Sequence, residues 1–353
     1  RSGNRKGKDA KEFKILGPGS GAVVEVPKPE PRPGEALLRL RQVGFCGSDL
    51  STWLGKNAMV EYPRIPGHEI AATIEGLGPG TAESGFAPGD PVTVVPYESC
   101  GACPSCRAGR RNACRSNRTL GVQRDGAMAE FITVPIEKLV PARALALGHL
   151  ALVEPLTVGF HAVDRGRARE GELVAVFGCG MIGLGAVTGA AARGARVVAI
   201  DVDDAKLSVA RAAGAAHAIN SASSDLHAAL ADLSGGDGPV LSIEASGSAG
   251  AWKSAVAETS FAGRIVCIGY AKDDIALTTR LFVQKELDIM GSRNATAADF
   301  DAVAAHLAKG GFPFDRIVSM RSDLDGASRA LDAWAASPAT ILKIIVDFED
   351  GAA

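Results

Sequence analysis

An apolar strand candidate, Leu173-Val174-Ala175-Val176-Phe177, runs directly into Gly178-Cys179-Gly180-Met181-Ile182-Gly183 and then into an alanine-rich helical stretch. Strand, G-x-G-x-x-G and helix in that order make the first half of a βαβ unit. Gly178 permits the tight turn, Gly180 lets the backbone approach a pyrophosphate, and Gly183 lets helix and strand pack closely. The N–H groups at the helix start, Met181 and Ile182, attract phosphate. A second apolar run, 196–201, ends in Asp201, 18 residues beyond Gly183. A carboxylate there accepts hydrogen bonds from the adenosine ribose and repels a 2′-phosphate, so NAD is expected rather than NADP. Lys206 either sits beside the adenine or is a solvated charge.

From 172 onward strand and helix patterns alternate (173–177, 181–193, 196–201, 205–213), with further strand candidates at 240–244, 264–269 and 287–290. This reads as a doubly wound, Rossmann-type parallel sheet. Ahead of it, 12–139 consists of short β-rich segments such as 35–42, 69–75 and 91–95, punctuated by Gly and Pro, which reads as a barrel-like lobe. The tail, 300–348, is expected to return to the first lobe with a helix at 327–336 and a strand at 341–346. A chain of 353 residues suits two lobes, divided as 1–155 with 294–353 against 156–293.

The 38 basic and 40 acidic residues are interspersed and give a net charge of -2, which implies no broad basic surface for nucleic acid. Small molecules are the expected partners. Residues 1–10 are basic and polar, without the apolar core of a signal peptide, and read as a frayed end. No apolar run approaches the roughly 20 residues of a membrane helix, so a cytoplasmic protein is expected.

Four of the seven cysteines, Cys100, Cys103, Cys106 and Cys114, fall within 15 residues as C-x2-C-x2-C-x7-C. One compact loop with that spacing can wrap four sulfurs around a tetrahedral zinc in a closed, structural site. An iron–sulfur cluster is disfavoured, since the spacing matches neither common ferredoxin pattern. A second set is dispersed: Cys46 in a glycine-rich turn, His68 beside Glu69, and Glu154 where the two lobes join. Together they suggest an open zinc site with a position for water or substrate. His149, His161, His217, His227 and His306 lack metal-like spacing and read as ordinary helix or loop residues.

These motifs, in this order, resemble the zinc-dependent medium-chain dehydrogenases, closest to the sorbitol and sugar-acid branch. The resemblance rests on Cys46-Gly47-Ser48-Asp49, Gly67-His68-Glu69, the cysteine quartet, Glu154-Pro155, the Gly178 to Gly183 turn with Asp201, and Gly291-Ser292-Arg293. It implies a GroES-like catalytic domain joined to a Rossmann NAD-binding domain, two zincs per chain, and a homodimer or homotetramer. The catalytic zinc would be bound by Cys46 and His68 with Glu69 or Glu154. The simple-alcohol branch has cysteine at the position of Glu154, and the carboxylate shifts the expected substrate toward polyhydroxylated compounds.

The same resemblance implies that Ser48 receives the hydroxyl proton and that Asp49 accepts the second ring proton of His68. The family's relay histidine, three positions after the serine, is replaced by Ser51. Ser48 as the cap of a helix starting at Asp49 is the structural alternative. Ser292 and Arg293 are implied cofactor contacts, while Arg293 and Arg124 are candidates for a substrate carboxylate.

The function implied is NAD-linked oxidation of a secondary hydroxyl on a polyol, aldonate or related sugar derivative. A threonine or simple-alcohol dehydrogenase is the alternative within enzymes. A catalytically silent NAD-binding sensor is the alternative outside them, disfavoured because such a module needs no open metal site.

Overall fold

The computed structural model describes residues 9–271 and 273–348, so most of the basic N-terminal stretch lies outside it. The chain forms two compact units, one of the described residues through Glu154 with those from Ile317 on, the other Pro155–Arg316.

The second unit is built on a six-stranded, all-parallel sheet. Its strands run in the order His217–Asn220, Arg196–Asp201, Leu173–Phe177, Leu241–Glu244, Arg264–Cys267, Asp288–Gly291. Every residue of Leu173–Phe177 is buried, which is why it reads as an unbroken apolar run rather than an alternating one. Strand order reverses between Leu173–Phe177 and Leu241–Glu244, the switch point at which such sheets bind ligands. The helices start on side-chain caps: Asp203 accepts from Ala205 and Lys206, and Ser248 from Ala251.

Helix Met181–Ala192 lies against Val153–Arg165 through glycine. A Cβ on Gly159 would stand 2.2 Å from the Ala186 nitrogen, and one on Gly185 2.5 Å from the Leu156 carbonyl oxygen. Backbones therefore touch where any side chain would hold them apart.

Two sequence expectations are revised here. The strand His217–Asn220 was not read, because it is short and follows an alanine-rich stretch that favours helix. Residues 294–316, expected in the first lobe, pack with the second unit. Helix Ala297–Ala308 buries Phe300, Val303 and Leu307, and its Asp299 accepts or shares a proton with His161 Nδ1 at 3.0 Å.

The first unit carries a seven-stranded sheet around a core that includes Phe13, Leu38, Phe45, Ile70, Val94, Met128 and Ile344. Strand Glu35–Phe45 is its centre. On one edge it pairs antiparallel with the C-terminal strand Lys343–Asp347, Phe45 opposite Ile344. On the other it pairs with Glu69–Leu77, Gly44 opposite Glu69. Cys46, Glu69 and Lys343 consequently meet at one end of three adjacent strands.

Candidate active site

Cys46 follows the central strand and precedes helix Gly47–Trp53, while His68 precedes the strand Glu69–Leu77. Their donor atoms and a carboxylate oxygen of Glu69 all lie within 4.8 Å of one another. His68 and Glu69 are buried. The carboxylate of Glu69 fits because its cross-strand neighbour is Gly44, where a Cβ would stand 2.0 Å from Oε2.

A residue that the sequence reading missed completes the group. Lys343, also buried, places Nζ 2.5 and 2.6 Å from the two oxygens of Glu69 and donates to the Phe45 carbonyl at 3.0 Å. Removing one member of a buried ion pair strands the other charge at a cost of about 3–5 kcal/mol, so the pair fixes the carboxylate firmly. The only sequence signal was a lysine at the head of an apolar strand.

Glu154 stands outside the cluster of three donors and accepts a hydrogen bond from the buried Tyr97 hydroxyl. Burial first, and then the charge of Glu154, raises the phenol well above its usual pKa, so Tyr97 stays a donor. The charge of Glu154 nevertheless reaches His68. Burial opposes protonation of that ring, but the charge and hydrogen bond of Cys46, with Glu154 and Asp49 behind them, hold its pKa well above the ordinary value. Anionic donors converging on one imidazole, whose buried Nδ1 has no partner, form the electrostatics of a cation site, and the donor set fits zinc.

Asp49 does not bond the His68 ring as expected. Its carboxylate accepts the Cys46 N–H at 2.8 Å and the Gly67 N–H at 3.2 Å. It clamps together the two turns that carry Cys46 and His68 and acts on the ring through charge alone. Ser48 lies inside the helix, which starts at Gly47, so it is not the cap; its hydroxyl is buried and has no partner among the described residues.

The loop 121–126 braces the His68 turn. Gly126 donates to the Ile65 carbonyl, Ala127 to Gly67 and Met128 to Pro66, at 2.8, 2.9 and 3.0 Å. A Cβ on Gly126 would meet the carbonyl oxygens of Gly67 and Pro66, both at 2.4 Å. Gly126→Ala should therefore shift His68 at a cost of about 1–3 kcal/mol. The expected result is loss of one metal per chain with the other retained; two metals and wild-type turnover would refute it. Arg124, in the same loop, is half-buried and ion-paired with Glu98.

In the quartet, Sγ atoms of Cys103 and Cys106, Cys103 and Cys114, and Cys100 and Cys114 are 3.5, 3.9 and 3.5 Å apart. Those spacings exceed any disulfide and approach the edge of about 3.8 Å that a tetrahedron of 2.3 Å zinc–sulfur bonds requires. The Ser105 hydroxyl, with backbone N–H groups, holds the Cys103 thiol down at about 5, a thiolate at neutral pH. The quartet fits a structural zinc.

In the second unit Gly178 has φ +93° and Gly180 precedes the helix start at Met181 and Ile182. Beside Gly180 a Cβ would meet nothing within 4 Å, leaving the approach that a pyrophosphate needs. On Gly183 it would stand 1.8 Å from the Gly178 carbonyl oxygen, a contact that only hydrogen tolerates. Gly183→Ala should break the turn and weaken dinucleotide binding by more than about tenfold, read by fluorescence titration. Unchanged affinity would show that the turn does not hold the cofactor.

Asp201 accepts the Cys179 N–H at 2.7 Å with one oxygen and the Val202 and Asp203 N–H groups at 2.8 and 3.1 Å with the other. It ties its strand to the glycine turn and keeps lone pairs for a ribose. Lys206 is half-buried, close enough to oppose the burial that raises the Cys179 thiol. Ser292 and Arg293 follow the edge strand at the same end of the sheet, and Ser292 donates its N–H to the Cys267 carbonyl at 2.9 Å.

Residues 32–144 match the model of the alcohol dehydrogenase GroES-like domain, and 182–309 that of the zinc-binding dehydrogenases. L-galactonate-5-dehydrogenase of Escherichia coli K12 is 36% identical over 293 residues, covering 83% of this chain and 86% of that protein. The chain belongs to the zinc-dependent medium-chain dehydrogenases. This dehydrogenase is also 32% identical to the erythritol/L-threitol dehydrogenase of Mycolicibacterium smegmatis, covering 92% of this chain and 94% of that one. Its fold matches the crystal structure of the alcohol dehydrogenase RspB of E. coli CFT073 complexed with NADH, with TM-score 0.88 and 29% identity over 97% of this chain and all of that one. Its β-rich unit is thus the GroES-like domain, and its parallel sheet the Rossmann-type domain, of an alcohol dehydrogenase superfamily enzyme.

Proposed function

We propose that this dehydrogenase oxidises a secondary hydroxyl of a polyol, aldonate or related sugar derivative, reversibly and with NAD. The observation that carries the reading is the donor group of half-buried Cys46 with buried His68 and Glu69, beside a Ser48 hydroxyl that has no partner among the described residues, on the helix that Cys46 begins. Relatives that act on L-galactonate and on erythritol support the substrate class, and a relative crystallised with NADH supports the cofactor.

In this reading Cys46, His68 and Glu69 hold the catalytic zinc, and the quartet holds the structural one. When bound there, the metal would supply a Lewis acid that lowers the pKa of the substrate hydroxyl, and NAD would supply the hydride acceptor. Ser48 Oγ would accept the hydroxyl proton while passing its own onward to a ribose hydroxyl of the cofactor or to water. Lys343 offsets the charge of Glu69, and Asp49 sets the spacing of Cys46 and His68 through their backbones. Glu154, held by Tyr97, adds the second carboxylate that suits a polyhydroxylated substrate. Gly178 to Gly183 receive the pyrophosphate, with Asp201 at the ribose, Lys206 near the adenine, and Ser292 and Arg293 beyond the edge strand at the same end of the sheet.

A homodimer or homotetramer is part of the proposal. Asp288–Gly291 is an edge strand whose Ile289 is exposed, and open edges invite pairing with another copy. Sedimentation velocity checks this. Seven unbridged cysteines suit a reducing compartment, consistent with the cytoplasm, and among the described residues no helix is long and apolar enough to cross a membrane.

Steady-state rates with NAD and NADP on alditols, aldonates, threonine and simple alcohols test the reading. Alditols or aldonates with NAD should give the highest kcat/KM. Dominant threonine or simple-alcohol oxidation, or a preference for NADP, would overturn it.

A further inference from the structure

The loop that holds the cysteine quartet carries an unbalanced charge. Between Glu98 and Asp125 the chain has six arginines and no acidic residue, in a protein whose net charge is -2. Arg107, Arg110, Arg111, Arg115 and Arg118 are all exposed, and among the described residues none of these five pairs with a carboxylate. The two flanking carboxylates are already engaged, Glu98 with Arg124 and Asp125 with Arg64.

The loop is fastened to the metal-binding turns. Arg118–Thr119 pairs with Tyr97–Glu98, Thr119 opposite the Tyr97 that bonds Glu154. A Cβ on Gly121 would stand 2.6 Å from the Gly67 nitrogen, next to His68. The site itself gathers three buried carboxylates, Asp49, Glu69 and Glu154, with Lys343 bonded to one of them. An anion approaching that group meets repulsion which an uncharged polyol does not, and a basic loop braced on the same turns offsets it where low salt lets charge act over a long range.

We infer that the arginine loop draws anionic polyols, aldonates above all, to the Cys46, His68 and Glu69 site in preference to uncharged alditols. This rests on the dehydrogenase reading above. The arginines act at a distance and need not touch the substrate.

The test compares kcat/KM for an aldonate, the alditol of equal length and an alditol phosphate, from low salt to roughly 0.3 M NaCl. The aldonate value should fall several-fold with salt while the alditol value stays level. A triple variant, Arg110→Glu with Arg111→Glu and Arg115→Glu, should lower aldonate kcat/KM about tenfold at low salt, mainly through KM. Alditol turnover, zinc content and thermal midpoint should not change. The same salt response for the phosphate would support recognition of charge at a distance; a response to the aldonate alone would point to direct contact with the carboxylate and overturn the inference. Salt-insensitive aldonate oxidation, or equal loss of aldonate and alditol turnover in a folded variant, would overturn the inference. The wild-type salt series decides the matter if the variant does not fold. Turnover of none of the three would remove the dehydrogenase reading itself.

Discussion

Replacing Cys46 with alanine should leave a folded protein with one zinc per chain and almost no turnover. The cysteine supplies the only sulfur in the donor group of Cys46, His68 and Glu69, and its charge and hydrogen bond, together with the charges of Glu154 and Asp49, outweigh the burial that disfavours protonation of His68. Without it the group loses both a ligand and the charge that attracts a cation. Removing a residue that merely orients a ligand typically costs 10–100-fold, so loss of the ligand itself should exceed about 100-fold in kcat/KM. The quartet belongs to a separate loop and should keep its metal. Zinc analysis with circular dichroism measures this: two zincs per chain and wild-type rates would show that Cys46 is not a ligand.

Cys103→Ser should act on stability instead. Cys103 touches Cys106 and Cys114 through sulfur, and with both makes a small buried cluster separate from the sheet core. The loop 100–114 thus has little apolar packing besides its ligands, and the metal must supply what a core elsewhere would. Structural zinc sites in peptides contribute roughly 10–16 kcal/mol of apparent binding free energy. Even a fraction of that, about 3 kcal/mol, lowers the midpoint of a unit this size by roughly 6–12 °C. Calorimetry should show the drop while the Cys46 site retains zinc at low temperature. An unchanged midpoint would mean the quartet does not staple the loop.

Much of this site was legible in the linear sequence because its chemistry is local. The quartet lies within one loop, the glycine turn within one strand–helix junction, and Cys46 and His68 each in a recognisable turn. What the sequence withheld depends on register. Lys343 meets Glu69 across 274 residues only because their strands flank a common neighbour, and Gly44 makes room for Glu69 only because the two are paired. The choice between Glu69 and Glu154 was open for the same reason: the linear order does not show which carboxylate comes within reach of Cys46 and His68, and in the fold an oxygen of Glu69 does.

The remaining corrections have similar causes. Asp49 was expected at the imidazole, but its two backbone partners became visible only once the turns at Cys46 and Gly67 were brought together. The segment 294–316 follows the last strand of the parallel sheet, and its burial against the second unit comes from helix Ala297–Ala308 and the Asp299–His161 pair. An amphipathic helix advertises that it packs, not against which unit it does so.

The most direct measurement follows NADH formation from an aldonate or alditol as zinc is withdrawn stepwise with a chelator, with zinc per chain determined at each step. Activity should vanish between two zincs and one, while the protein remains folded on the metal held by Cys100, Cys103, Cys106 and Cys114. Full activity at one zinc per chain would contradict a catalytic metal at Cys46, His68 and Glu69.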